Sequence, residues 1–208
     1  MKKISVKPRK VPKQGRSKAT VDAILDATAH ILIKDGYEHA STNRIAEKAG
    51  VSIGSLYQYF PNKQALVSAL NTRLGEKEML GIQRKFQDIS EVPVDLAVRE
   101  LVQAFVDSHR VSPKLHKVLV EQVPRVGDAK KINEIDEEIR RMMRDYLGSK
   151  ELGLSDHKID IIVFVVMNIV ETLTHQAVLH HPELLQGDTL VDEIAGIVDL
   201  YIGSKLAN

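Results

Sequence analysis

A chain of 208 residues that is 43% hydrophobic and 27% charged has the length and balance of a globular protein with a sizeable core. It contains no cysteine, which excludes disulfides, thiol redox chemistry and cysteine-ligated metals. Its net charge of +1 hides a division: residues 1–63 carry 12 Lys/Arg and 5 Asp/Glu, the remainder 17 and 23, so a nucleic-acid-binding face is expected in the first third.

The opening stretch MKKISVKPRKVPKQGRSK places eight basic residues, Lys2 to Lys18, before the first acid, Asp22. It lacks the apolar run of a secretory signal, and Pro8, Pro12 and Gly15 interrupt it, so a basic, extended arm is expected over residues 1–16. From Ser17 the pattern turns helical. Val21, Ile24, Leu25, Thr28, Ile31 and Leu32 share one face, and Gly36 can end the helix. Ser41 suits the N-cap of a short helix TNRIAEKA, Gly50 a turn with positive φ, and Ser52 the cap of a third helix reaching about Phe60. Pro61 and Asn62 stop that helix and start the next, KQALVSALNTRLGEKEML. Further helices are predicted over residues 94–111, 113–122, 128–150, 156–180 and 188–204, with no convincing strand. The longest apolar run, Ile161–Met167, is far short of the roughly 20 residues of a membrane span, so a cytoplasmic setting without membrane attachment is expected.

Two short helices joined by a glycine turn form a helix-turn-helix, whose second helix enters the DNA major groove. Ile45, Ala46 and Ala49 can pack on Val51, Leu56 and Phe60. Ile53, Gly54, Ser55, Tyr57, Gln58 and Tyr59 are then left less committed to the core. Gly54 allows close backbone approach to a base, Ser55 donates and accepts, and Tyr57 offers a ring to a thymine methyl and a phenol to phosphate. The bland alternative makes Tyr57 and Tyr59 core aromatics.

The stretch STNRIAEKAGVSIGSLYQYFPNKQAL resembles the signature of the TetR/AcrR family of transcriptional regulators. The resemblance covers about Ser17 to Leu70, and FVDSHRVSPKLHKVLVEQVPRVG is similar to a C-terminal subtype of that family. It implies an all-α fold with an N-terminal three-helix DNA-binding domain over residues 17–63 and a C-terminal helical ligand-binding and dimerisation domain over residues 64–208. By motif position it implies phosphate contact at Thr42, with Asn43 able to reach a base edge. Base reading falls on Ile53, Gly54, Ser55 and Tyr57, and phosphate contact on Tyr59 and Lys63. Arg44 is basic and close by. Ile53 is apolar where a polar residue can bond a base, which leaves the operator sequence open.

The resemblance further implies a dimer on a palindromic double-stranded operator, repression as the usual output, and a small apolar or amphipathic effector. Such a ligand shifts the two heads away from half-sites about 34–36 Å apart. In the body, Phe105, His109, Met142, Tyr146, Phe164, Met167, Asn168 and His175 are candidates for a pocket, with ordinary core packing as the alternative. Asn168 and His175 are polar on a very apolar helix, seven residues apart and so on one face. That helix is apolar nearly all round and is expected to be buried on more than one side. With it, Ile162, Val166, Val170, Leu190, Ile194, Ile197 and Tyr201 are expected to form the dimer interface, against a single-chain core as the alternative. The eight histidines show no zinc-type spacing, and no phosphate loop or nucleophile elbow is present, so no catalytic residue, metal or cofactor is expected. Two other readings stay open: a constitutive DNA-binding protein without an inducer, and a helical enzyme or carrier.

Overall fold

A computed structural model of the chain describes residues 8–9, 15–110, 112–126 and 129–206, without the side chains of 123–132. Most of the expected arm, together with Val111 and Asp128 at two expected helix ends, lies outside these residues. Among those described, the elements are helices: α1 (Gly15–His39), α2 (Thr42–Lys48), α3 (Ile53–Tyr59), α4 (Lys63–Asp88), α5 (Val94–Arg110), α6 (Pro113–Val126), α7 (Ala129–Gly148), α8 (Asp156–His180) and α9 (Thr189–Leu206). A short 3-10 turn, Pro182–Leu185, precedes α9 and was not foreseen. Helix α4 runs eight residues beyond its expected end at Leu80, because Ile82, Phe86 and Ile89 continue the apolar spacing into a core.

The chain divides into two compact units, one of residues 1–75 and 114–132, the other of residues 76–113 and 133–208. The division falls inside α4, and α6 joins the first unit, unlike the boundary at residue 63 expected from the sequence.

The first unit, the head, has a core of α1, α2, α3, the first turns of α4, and α6. Ile24, Leu25, Ala27, Ile31 and Leu32 of α1 meet Ile45, Ala46, Leu56 and Phe60, all buried. Thr28 sits on the same face fully buried, its hydroxyl donating to the Ile24 carbonyl at 2.8 Å, so the polar atom carries no desolvation penalty. Leu115 and Leu119 of α6 complete this core. Helix α1 is broken at Gly36, with φ 73° and ψ 176°. An L-residue with a side chain is strained there, and Gly36→Ala should cost about 1–3 kcal/mol of head stability. The check is a lowered melting temperature, since a Cβ at this position would meet no atom within 4 Å and only the backbone conformation objects.

The second unit, the body, packs α5, α7, α8, α9 and the last turns of α4. Val98, Val102 and Val106 of α5 meet Ile139 and Leu147 of α7, Ile162, Val163 and Val166 of α8, and Ile194, Val198 and Ile202 of α9. Helix α8 is long and apolar enough, by length and composition, to cross a membrane. One face of α8 is explained by this core, where Ile159, Ile162, Val163, Val166, Ala177 and Val178 are buried.

Candidate DNA-binding face and body cavity

In the head, two serine caps set the helix-turn-helix. Ser41 Oγ accepts from the Arg44 amide at 3.4 Å and starts α2; Ser52 Oγ accepts from the Ser55 amide at 3.0 Å and starts α3. Gly50, at φ 67°, makes the turn between them. Leu56 points inward. This leaves Ile53 and Tyr57, each 39% exposed, with Gly54 and Gln58 on the outer side of α3, and Asn43 exposed on α2. Thr42, at the start of α2, lies beside them, and its hydroxyl hydrogen-bonds the Tyr57 phenol at 3.0 Å. Ser55 is half-buried and its hydroxyl pairs with that of Ser52 at 2.9 Å.

Three expected residues are placed differently. Tyr59 is only 8% exposed and belongs to the head core, which corrects the expectation of an outward ring on phosphate. Its position two residues after Tyr57 turns it to the opposite side of α3. Arg44 is exposed but engaged: its guanidinium bonds Asp35 at 2.7 Å and the His39 carbonyl at 3.1 Å, tying α2 to the end of α1. Lys63 donates from Nζ to the Tyr37 carbonyl at 2.7 Å and sits over the Tyr37 ring, 4.1 Å from its centroid. An ammonium has three donors, so phosphate can still be met from here. One residue was missed. Arg9 donates from its backbone to the Tyr59 carbonyl at 2.7 Å and from Nη1 to the Tyr57 carbonyl at 3.3 Å, setting a cation at the C-terminal end of α3. Its only signal in the sequence was membership of the basic arm.

In the body, a cavity of about 50 Å3 is lined almost entirely by apolar side chains, among them Phe86, Val98, Phe105, Met143, Tyr146 and Met167. The Phe86 and Tyr146 rings lie 5.9 Å apart, and the Tyr146 hydroxyl donates to the Val92 carbonyl at 2.8 Å. Of the expected pocket residues, Phe105, Tyr146 and Met167 line this cavity. Phe164 and Asn168 do not: both are exposed, and the Asn168 amide donates to the Phe164 carbonyl at 2.7 Å, one turn back along its own helix. Met142 lines an outer groove with Gln83 and Asp145 instead.

His109 and His175 lie together beyond one side of the cavity, their Nε2 atoms 3.2 Å apart. His109 Nδ1 is 3.0 Å from the Phe105 carbonyl and 2.9 Å from Ser108 Oγ. Burial holds His109 below the ordinary histidine range and, with the neighbouring His109, brings His175 to about 4, so both rings are neutral near pH 7. Glu78 stands 3.6 Å from His109 and accepts from Ser108 Oγ at 2.7 Å. Burial raises the Glu78 carboxyl despite that bond, and Asp136 adds to the rise; burial and then Asp136 raise Glu171 in the same way.

The expected dimer set divides. Ile162, Val166 and Ile194 are buried in the body's own core and have no surface left for a second chain, which corrects their assignment. Val170, Leu190 and Tyr201 are partly buried against that core, and Ile197 is exposed. The outward apolar residues of α8 and α9 are Ile161, Phe164 (60% exposed), Leu173, Ile197, Leu200 (78%) and Leu206.

The family model described as "Bacterial regulatory proteins, tetR family" matches residues 24–70, and "Tetracyclin repressor-like, C-terminal domain" matches residues 93–201. The chain is 54% identical over 48 residues to the HTH-type transcriptional repressor KstR of Mycolicibacterium smegmatis, covering 23% of this chain and 24% of that one. It is 35% identical over 69 residues to the Fatty acid metabolism regulator protein of Bacillus subtilis, covering 33% and 34%. These alignments thus span a quarter to a third of each relative. A TetR-family transcriptional regulator from Streptomyces coelicolor shares the fold with a TM-score of 0.66 at 22% identity, over 91% of this chain and 98% of that one.

Proposed function

Because the chain belongs to the TetR family of bacterial regulators, we propose that this DNA-binding transcriptional regulator is a repressor, holding a palindromic operator as a homodimer and released by a small molecule in the body cavity. The observation that carries the DNA-binding reading is the outer face of the helix-turn-helix, where Asn43, Ile53, Gly54 and Tyr57 stand exposed beside Thr42. All four are exposed to an approaching duplex, and the only side-chain bond described among them is that of the Tyr57 phenol to Thr42. Phosphate contact is assigned to Thr42, Lys63 and Arg9. The relatives named as a repressor and as a fatty acid metabolism regulator favour repression and a ligand with an apolar chain. An operator-bound protein of this kind works in the cytoplasm.

Helix α4 supports the response to ligand. Its first turns supply Ala65, Leu66, Val67 and Leu70 to the head core, and its later turns supply Ile82 and Phe86 to the cavity wall. A ligand that displaces Ile82 and Phe86 acts directly on the helix that carries the head residues. It must prefer the non-binding state to shift the population.

The dimer reading rests on the outward row Ile161, Phe164, Ile197 and Leu200, which is apolar and uncovered in the single chain. Gel shift on DNA flanking the gene, with and without a cell metabolite extract, tests the whole. A retarded band released by extract is expected; binding that no extract reverses favours the constitutive reading, and no specific band overturns both. In the same assay, Lys63→Ala should weaken specific and random DNA alike and lower the slope of log K against log salt by about 0.9, one phosphate. Losing its bond to the Tyr37 carbonyl should also cost about 1 kcal/mol of head stability. A lost specificity with an unchanged slope would instead make Lys63 a base reader.

A further inference from the structure

Helix α3, IGSLYQY, carries no charged residue. That restricts what it can read. In the major groove guanine shows two acceptors, N7 and O6, and its commonest partner is the donor fork of an arginine or the ammonium of a lysine. The outer side of α3 holds neither. The described cations around it are engaged at its margins: Arg44 on Asp35 and the His39 carbonyl, Lys63 on the Tyr37 carbonyl, and Arg9 on the Tyr57 and Tyr59 carbonyls. From the margins they suit phosphate, which carries no sequence information.

What the face does carry matches the other base pair. Tyr57 and Gln58 stand one turn beyond Gly54 on its own face, Ile53 is beside it, and all four are exposed. The missing side chain at Gly54 leaves a notch among them. The chain itself does not require this glycine. Its φ lies outside the left-handed region, and an added Cβ would meet only Ser52 Oγ at 3.8 Å, an ordinary contact. A glycine in a helix is less stable than an alanine, so the notch stands against helix propensity with no packing reason inside the protein. Thymine alone among the four bases presents a methyl group in the major groove. Gln58, whose amide makes no side-chain bond among the described residues, offers one donor and one acceptor. Adenine shows one donor, at N6, and one acceptor, at N7, so both halves of the amide are used. The two acceptors of guanine and the single donor of cytosine each use only one half.

We propose that α3 specifies A·T pairs: a thymine methyl enters the Gly54 notch against Ile53 and Tyr57, and the Gln58 amide pairs with N6 and N7 of an adenine. One helical turn, about 5.4 Å, covers roughly two base-pair steps of about 3.4 Å, so a run of two or three A·T pairs is read in each half-site. The proposal rests on reading the outer side of α3 as the DNA-binding face.

The test selects an operator from random duplexes with the whole protein, then measures binding to substituted operators by fluorescence anisotropy. The enriched half-site should contain the A·T run. Each position of the run is replaced in turn. Deoxyuridine, which lacks only the methyl of thymine, should weaken binding about fourfold at one position. The 7-deaza analogue of adenine, which lacks the N7 acceptor, should weaken it about fivefold or more at another. Gly54→Ala fills the notch. It should weaken binding to the unmodified operator, respond no further to deoxyuridine, and melt no lower than wild type. Gln58→Ala should lose the response to the 7-deaza analogue and keep the response to deoxyuridine. A half-site with G·C pairs at the positions these variants affect overturns the proposal and leaves the DNA-binding face standing. So does a run that tolerates deoxyuridine throughout, or an analogue effect that survives the matching variant. A Gly54→Ala protein that melts lower makes the glycine a structural one and overturns the notch. A half-site bound equally by wild type, Gly54→Ala, Gln58→Ala and Tyr57→Ala overturns the assignment of the face itself. If no half-site is enriched, the operator reading falls with the proposal.

Discussion

Ile197→Glu is expected to abolish dimerisation and, with it, operator binding, although no DNA-facing residue is touched. Ile197 is exposed in the single chain, so the glutamate meets water in the monomer and the fold survives. In a dimer the same carboxylate is desolvated opposite apolar side chains such as Leu200 and Phe164, at a cost of several kcal/mol, roughly 3 or more. Operator affinity should fall steeply, by about a hundredfold or more, because a second head already tethered raises the local concentration at the other half-site. Sedimentation of the variant beside a gel shift reads both effects. The companion is Ile194→Ala, one turn earlier on α9 but fully buried in the body core. It should lower the melting temperature, by about 2–5 kcal/mol of stability, and leave the surviving folded protein dimeric. An Ile197→Glu protein that stays dimeric, or a wild type that is monomeric at micromolar concentration, would overturn the interface and the two-half-site reading together.

Tyr57→Ala carries the second large effect. Tyr57 is 39% exposed and its phenol bonds the Thr42 hydroxyl, linking the first residue of α2 to the reading helix. Removal should cost specific operator binding about 1–3 kcal/mol, up to two orders of magnitude, and random DNA less. The melting temperature should fall only modestly, since the ring lies outside the buried head core. Tyr57→Phe separates the two contributions: it keeps the ring but leaves Thr42 without this partner, and should fall between wild type and alanine. A large thermal destabilisation by Tyr57→Ala would show that the ring works in the head core, as its neighbour Tyr59 does.

The contrast between those two tyrosines shows what the sequence made legible. The head could be read locally. Ser41 and Ser52 cap, Gly50 turns, and Ile45, Leu56 and Phe60 recur at helical spacing, each signal acting over a few residues. Tyr59 was misplaced because a tyrosine suits either side of a short amphipathic helix, and only packing decides. Helix α8 was harder for a related reason. With apolar residues almost all round, its spacing carries no phase, so Ile162 and Val166 could not be told from the outward Ile161 and Phe164. The polar cluster of the body joins Glu78, His109 and His175 from three helices, across nearly a hundred residues. No local pattern records such a meeting, although His175, polar on the very apolar α8, was a visible trace of it.

Helix α6 carries a consequence for the order in which this protein can be made. Its Leu115 and Leu119 are buried among the head residues, while residues 76–113 between them and the rest of the head belong to the body. A ribosome that has finished Gly75 has therefore not finished the head, whose apolar core stays open until α6 emerges, some forty residues later at about 5–20 residues per second. During that interval the nascent chain presents an unfilled apolar surface to chaperones and to other chains. For the same reason a fragment cut at residue 75 lacks Leu115 and Leu119 and leaves that part of its core uncovered, and a chimera that exchanges bodies at that point keeps the core whole only if it carries α6 along with the head.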